Sequence, residues 1–99
     1  MSKPKTVIVK NVNVPGYESR VNAEKYEAMR AALLRALPLD LPGLTQAEML
    51  AAIQPFLNQD LWPGGEKSGW WMKTVQLDLE AGGQVKRNTA ARLTRWYRV

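Results

Sequence analysis

The chain has 99 residues, 45% of them hydrophobic and 23% charged, with a net charge of +5. That is the size and composition of one ordinary globular domain, spanning 1–99, able to fold without metal or disulfide support. Cysteine and histidine are both absent, which removes the usual zinc ligands, thiol catalysis, disulfides and every triad built on an imidazole base.

Taken in chain order, residues 1–5 are expected to be disordered. Thr6-Val-Ile-Val-Lys-Asn-Val-Asn-Val14 is β-branched and partly alternating, so it reads as a strand ended by Pro15-Gly16. Asn22 is placed to cap a helix over Ala23–Leu37, in which Tyr26, Met29, Leu33 and Leu37 form one apolar stripe before Pro38 stops it. Leu39-Asp-Leu-Pro-Gly43 is a loop. Thr45 followed by Glu48 is a capping box opening a helix with Met49, Leu50 and Ile53 on its inner side and an end or kink near Gln54, before Pro55.

Asn58–Lys67 is the next loop, and Ser68 is placed to cap a third helix over Ser68–Ala81. Trp71, Val75 and Leu79 repeat every four residues and should face the core with Met72 beside them; Lys73, Gln76 and Glu80 should face solvent. Gly82 or Gly83 supplies the left-handed cap that lets the chain reverse. Gln84–Asn88 and Leu93–Val99 then read as two strands of a hairpin, on which Trp96 and Tyr97 must face opposite sides.

The expected fold class is α+β, a winged helix-turn-helix: a three-helix bundle with a small antiparallel sheet in the order β-α-α-α-β-β, the first strand pairing with the terminal hairpin. In such a domain the second of two helices enters the major groove and the hairpin, or wing, holds the backbone. Here Thr45–Gln54 would be the positioning helix and Ser68–Ala81 the recognition helix. Their connection is longer than the usual three or four residues or so, a departure from standard docking geometry.

Charge is distributed unevenly. Residues 84–99 carry Lys86, Arg87, Arg92, Arg95 and Arg98 with no acid, while residues 22–83 have eight acidic side chains against five basic ones. A basic wing points to an anionic partner; the competing structural role is an arginine-rich hairpin that stays soluble and blunts a sheet edge. The candidate nucleic-acid contacts are Lys67, Ser68, Lys73, Thr74 and Gln76 on the third helix and Lys86, Arg87, Arg92, Arg95 and Arg98 on the wing. Lysine can donate to guanine and glutamine can bond adenine twice, whereas wing cations on phosphates carry no sequence information. Glu66, Asp78 and Glu80 make the segment 66–81 net negative, which equally suits a mixed surface helix.

Trp62, Trp70, Trp71 and Trp96 could stack on single-stranded bases, though clustered tryptophans in a small domain are more often core. Pro63-Gly-Gly-Glu-Lys-Ser-Gly69 lacks the spacing and the leading strand of a phosphate loop. Carboxylates show no suggestive pairing. The expectation is therefore a non-enzyme with no catalytic residue, no metal and no cofactor.

Several blocks carry a resemblance over nearly the full length: Asn11-Val-Asn-Val-Pro-Gly16, Arg20-Val21, Lys25-Tyr-Glu-Ala-Met-Arg30, Gly43-Leu-Thr-Gln-Ala-Glu-Met49, Pro63-Gly-Gly65 and, most specifically, Gly69-Trp-Trp-Met-Lys-Thr-Val-Gln-Leu-Asp-Leu-Glu-Ala81. They resemble a family of small bacterial proteins of unknown function. The resemblance implies a compact winged-helix-like domain and supplies no catalytic residue or ligand.

Two functions are carried forward. One is duplex-DNA binding, as a transcription regulator working through the wing and third helix. The other is a protein–protein interaction module on the same scaffold, favoured by the acidic half of the third helix. A short apolar run at the N-terminus is no signal peptide, and no stretch of about 18 apolar residues would span a membrane, so a cytoplasmic protein is expected. With no extra helix for dimerisation, a monomer or weak homodimer is expected.

Overall fold

A computed structural model describes residues 5–90 and 92–99. The elements are β1 (Thr6–Asn11), β2 (Val14–Asn22), α1 (Ala23–Ala36), α2 (Gln46–Ile53), α3 (Ser68–Ala81), β3 (Val85–Asn88) and β4 (Arg95–Arg98), with short 3-10 turns at Gln54–Phe56 and Pro63–Gly65. No helix of the described residues is long and apolar enough to cross a membrane. The expected disorder of 1–5 falls largely on residues 1–4, which lie outside the described residues; the Lys5 carbonyl accepts a 2.9 Å bond from the Ala23 amide.

The architecture is α+β with three helices, but the strand order is β-β-α-α-α-β-β, and there are two small antiparallel sheets rather than one. The segment expected to be one strand is a hairpin, because the chain reverses inside it. The Asn13 amide donates to Asn11 Oδ1 at 2.8 Å, closing an Asx turn that lets Asn11 face Val14 across the hairpin. Pro15-Gly16 does not end the strand. It lies within β2, where the register shifts beside Lys10 and Asn11; an edge strand tolerates a proline there.

The first strand therefore pairs with β2, and the C-terminal strands β3 and β4 pair only with each other. The reason is α3. Each residue turns an α-helix by about 100°, so Asp78 and Glu80 point to opposite sides of it. Asp78 Oδ1 accepts the Lys10 amide of β1 at 2.8 Å and its other oxygen accepts the Tyr26 hydroxyl of α1. Glu80 takes the C-terminal hairpin on the far side through Arg87 and Trp96. With α3 between the hairpins, one shared sheet does not form.

The helical periodicities hold. Tyr26, Met29 and Leu33 of α1 with Leu37 just beyond it, Met49 and Ile53 of α2, and Trp71, Met72, Val75 and Leu79 of α3 are all buried in one cluster with Val9, Val21, Val85 and Trp96. Asn22 caps α1 by accepting the Lys25 amide at 2.9 Å, and Thr45 and Glu48 form the complete capping box. α2 ends at Ile53 and passes into the 3-10 turn containing Pro55. Ser68 is the first residue of α3 rather than its cap, which is Lys67. At the other end, Gln84 N–H donates to Leu79 O at 2.9 Å and Gly83 N–H to Glu80 O at 3.1 Å, the Schellman pattern, with Gly83 at φ +79°.

The segment leading into α2 lies along β4. Leu44 and Trp96 exchange two 2.8 Å backbone bonds, and Arg98 N–H donates to Pro38 O at 2.9 Å. Gly43 makes this approach possible: at φ +86°, an added Cβ would sit 2.3 Å from the Trp96 carbonyl oxygen.

Two glycines at positive φ thus separate backbone strain from steric exclusion. A Cβ on Gly83 meets nothing within 4 Å, so Gly83→Ala should cost about 1–2 kcal/mol, the left-handed penalty alone. Gly43→Ala should cost more, about 3 kcal/mol or above, by forcing β4 off the loop. Urea denaturation of both variants measures the difference.

Candidate functional site

The C-terminal hairpin is fixed to α3 by one carboxylate. Glu80 has 4% of its side chain exposed and receives Arg87 Nε at 2.8 Å. The Arg87 terminal nitrogen adds a 2.9 Å bond to the other oxygen, and Trp96 Nε1 a 2.8 Å bond to the first. The guanidinium fork matches a carboxylate in two places, which a lysine could not do. Arg87 also lies 5.7 Å from the Trp96 ring centroid. Its bonds to Glu80 hold its proton still more tightly than usual.

Two more arginines of the C-terminal hairpin serve the fold. Arg95 donates to Glu48 Oε1 at 2.9 Å and to Gly43 O at 3.2 Å; Arg98 Nε donates to Leu37 O at 3.2 Å. Lys86 and Arg92 are exposed on the hairpin. Thus, of the five basic residues of the C-terminal hairpin, Arg87, Arg95 and Arg98 hold it to the body, while Lys86 and Arg92 make no such bond among the described residues. Trp96 is buried, and Tyr97, on the other side of β4, is half-buried.

On α3 the candidate base contacts are not brought together. Ser68 is 3% exposed; its hydroxyl donates to Gly65 O at 2.6 Å and accepts from Gln54 Nε2 at 3.4 Å. Gln76, expected on the solvent face, is 2% exposed. Glu80, expected beside it in solvent, is the buried anchor described above. Thr74 is half-buried and lines a small recess under the β1–β2 hairpin with Leu77, Val9 and Tyr17. Lys67 and Lys73 are exposed, as is Trp70, whose ring meets Trp71 edge-on at 5.2 Å.

The long connection before α3 is tied to the core through one aromatic ring. Trp62 is buried there, with its ring 6.2 Å from Trp71 in an edge-to-face arrangement, so the loop is anchored in the core.

An apolar surface was missed by the sequence reading. Leu39, Leu41, Leu93 and Val99 are large and exposed, and all belong to β4's flanks or to the segment that runs along β4. Beside Leu93 lies an open groove of ≈ 380 Å³ lined by Thr45, Gln46, Ala47, Thr94 and Trp96. The only hint in the sequence is the pair of leucines in Leu39-Asp-Leu41, which fit neither a helical stripe nor a buried strand.

The chain belongs to a family described as Family of unknown function (DUF6958), whose model matches residues 6–96. No curated protein and no solved structure matches it.

Glu80→Gln keeps the shape but loses the ion pair, and should destabilise the protein by about 2 kcal/mol, the range of hydrogen bonds to charged groups. Hydrogen exchange should show β3 and β4 amides losing protection before those of α1. A second expectation concerns acid. The Thr45 amide, and after it Arg95, hold the Glu48 carboxyl below its ordinary range. A depressed folded-state pKa means stability present above the unfolded value and lost as pH falls through the folded one. Carboxyl NMR should place the Glu48 midpoint low, and Arg95→Ala should return it only part of the way, because the Thr45 amide remains.

Proposed function

We propose that this member of a family without an assigned activity is a non-enzymatic, cytoplasmic protein-interaction module that docks a partner protein on the apolar rim of its C-terminal hairpin. One observation carries the reading. Arg87 and Arg95, which a phosphate-binding wing would present, are paired with Glu80 and Glu48, while Leu39, Leu41, Leu93 and Val99 around the same hairpin are exposed. Exposed apolar groups, one of them (Leu93) lining a groove, suit protein contact.

In this reading the scaffold is a winged helix-turn-helix carrying an additional N-terminal hairpin. α2, α3 and the β3–β4 hairpin supply the expected order. The β1–β2 hairpin lies over Thr74 and Leu77, on the helix that such a domain presents to DNA. Duplex DNA is the second reading, favoured by the exposed cations Lys67, Lys73, Lys86 and Arg92. These would hold phosphates rather than read bases, so the expected ligand would be backbone without sequence.

Two pairs of variants separate the readings. Leu41→Glu with Leu93→Glu should abolish capture of a protein partner from nuclease-treated lysate, and Lys86→Glu with Arg92→Glu should leave it unchanged. If the DNA reading holds instead, anisotropy with random duplex should fall with salt by about 0.9 in log–log slope per phosphate held, and the Lys86/Arg92 variant should lower that slope. Retained capture by the leucine variant would overturn the protein-docking proposal.

A further inference from the structure

The described structure leaves part of the β2 edge open, and its side chains are complementary to themselves. The amide of Ala23 bonds the carbonyl of Lys5, and the register continues through Val7 with Val21 and Val9 with Ser19. Odd-numbered residues therefore exchange the hydrogen bonds within this hairpin, because bonded and non-bonded pairs alternate in an antiparallel ladder. The N–H and C=O groups of Ile8, Lys10, Glu18 and Arg20 point outward from it. On the β1 side the Lys10 amide is taken by Asp78, at 2.8 Å. On the β2 side no backbone bond engages Glu18 or Arg20 among the described residues.

The other edges are occupied or short. β4 is bonded by Pro38 and Leu44, and β3 has only four residues. Beyond Tyr17, the register shift and Pro15, which has no amide proton, stop β2 from continuing a ladder. What is left is a short segment centred on Ser19, with the exposed Glu18 and Arg20 on either side of it.

We propose that β2 pairs antiparallel with β2 of a second copy of this chain, about a two-fold axis through Ser19, so that Glu18 of each copy lies opposite Arg20 of the other. Both residues present outward amide and carbonyl groups, so each of these cross-pairs is of the doubly hydrogen-bonded kind. The result is one four-stranded sheet in the order β1-β2-β2-β1. Its outer face carries matched charge: Glu18 already faces Lys10 within the hairpin and gains Arg20 of the second copy on its other side. A slip of the centre by one residue either way sets Glu18 against Glu18 or Arg20 against Arg20, which cross-strand repulsion disfavours. The charges that would deter indiscriminate edge pairing thus select one register. The contact is short, so the dimer is weak. It does not depend on the C-terminal surface, which lies on the other side of α3.

Sedimentation velocity of the full chain over a concentration series tests the pairing. The wild-type chain should show reversible dimer formation. Glu18→Arg and Arg20→Glu should each raise the dimer dissociation constant by about tenfold or more, since each sets like charges opposite one another. A mixture of the two single variants should associate, because one then carries two cations and the other two anions at these positions. The double swap should restore self-association. Circular dichroism and urea curves verify folding of each variant, and Arg20→Glu leaves the Lys10–Glu18 neighbours intact should Glu18→Arg disturb the hairpin. At high concentration the Glu18 and Arg20 amides should gain exchange protection, whereas those of Ser19 and Val21 are protected throughout. A chain that stays monomeric at millimolar concentration, self-association indifferent to the single reversals, or variants that do not associate when mixed would overturn the proposal.

Discussion

Two carboxylates on α3 organise this molecule. Asp78 and Glu80 are two residues apart, so they project from nearly opposite sides of one helix, and each receives groups from a different hairpin. Removing a carboxylate from water is costly unless its oxygens are filled by donors. Glu80 meets that requirement with two arginine nitrogens and an indole N–H. Asp78 meets it with a backbone amide and the Tyr26 phenol. Burial, and then this carboxylate, raise the phenol's pKa well above its ordinary value. An unfilled carboxylate would be expelled toward solvent, so each hairpin is held where its donors are. The helix between them becomes the middle layer of the molecule.

That placement changes what the charge distribution means. The acids that make α3 net negative are anchors for the two hairpins, and of the arginines that make the last strands basic, Arg87 is the partner of one of them, Arg95 pairs with Glu48 of α2 and Arg98 with a backbone carbonyl. Arginine is suited to this work, because its fork reaches a carboxylate or several carbonyls without demanding full burial. Arg95 ties β4 to the start of α2, and Arg98 ties it to the end of α1. The hairpin is thus held by polar bonds at its rim and by Val85 and Trp96 in the core. Its exposed remainder is apolar as well as cationic.

The helices were legible because their signals are local. A stripe at steps of three and four, an asparagine or capping box at the start, and a glycine at the end each act within one or two turns. The first hairpin was not, because its β-branched residues run through the turn and the only reversal signal is an asparagine bonding an amide two residues on. Pro15-Gly16 looked like a stop and is instead an irregularity on an edge. The side-chain pairings that decide the site were also hidden: Arg95 meets Glu48 across 47 residues and Arg98 meets Leu37 across 61. Composition counts charges, and only the fold says which are already spent. Ser68 and Gln76 illustrate the same limit, being polar residues of suitable type that the fold buries.

Edge management explains the remaining surface. Two separate hairpins expose more unpaired backbone than one closed sheet, and unpaired edges invite other strands. Here Asp78 of α3 takes the Lys10 amide on the β1 edge, the Pro38–Leu44 segment covers β4, and β3 is kept short. β2 is treated differently: a proline and a register shift block one end, and alternating charge marks the other. Charge on an edge repels most strands, yet an acid and a base two residues apart are complementary to their own reversed copy. The same pair therefore excludes unrelated strands and admits one that runs antiparallel with the identical sequence. An edge defended in this way is selective rather than closed, and its selectivity is for the chain itself.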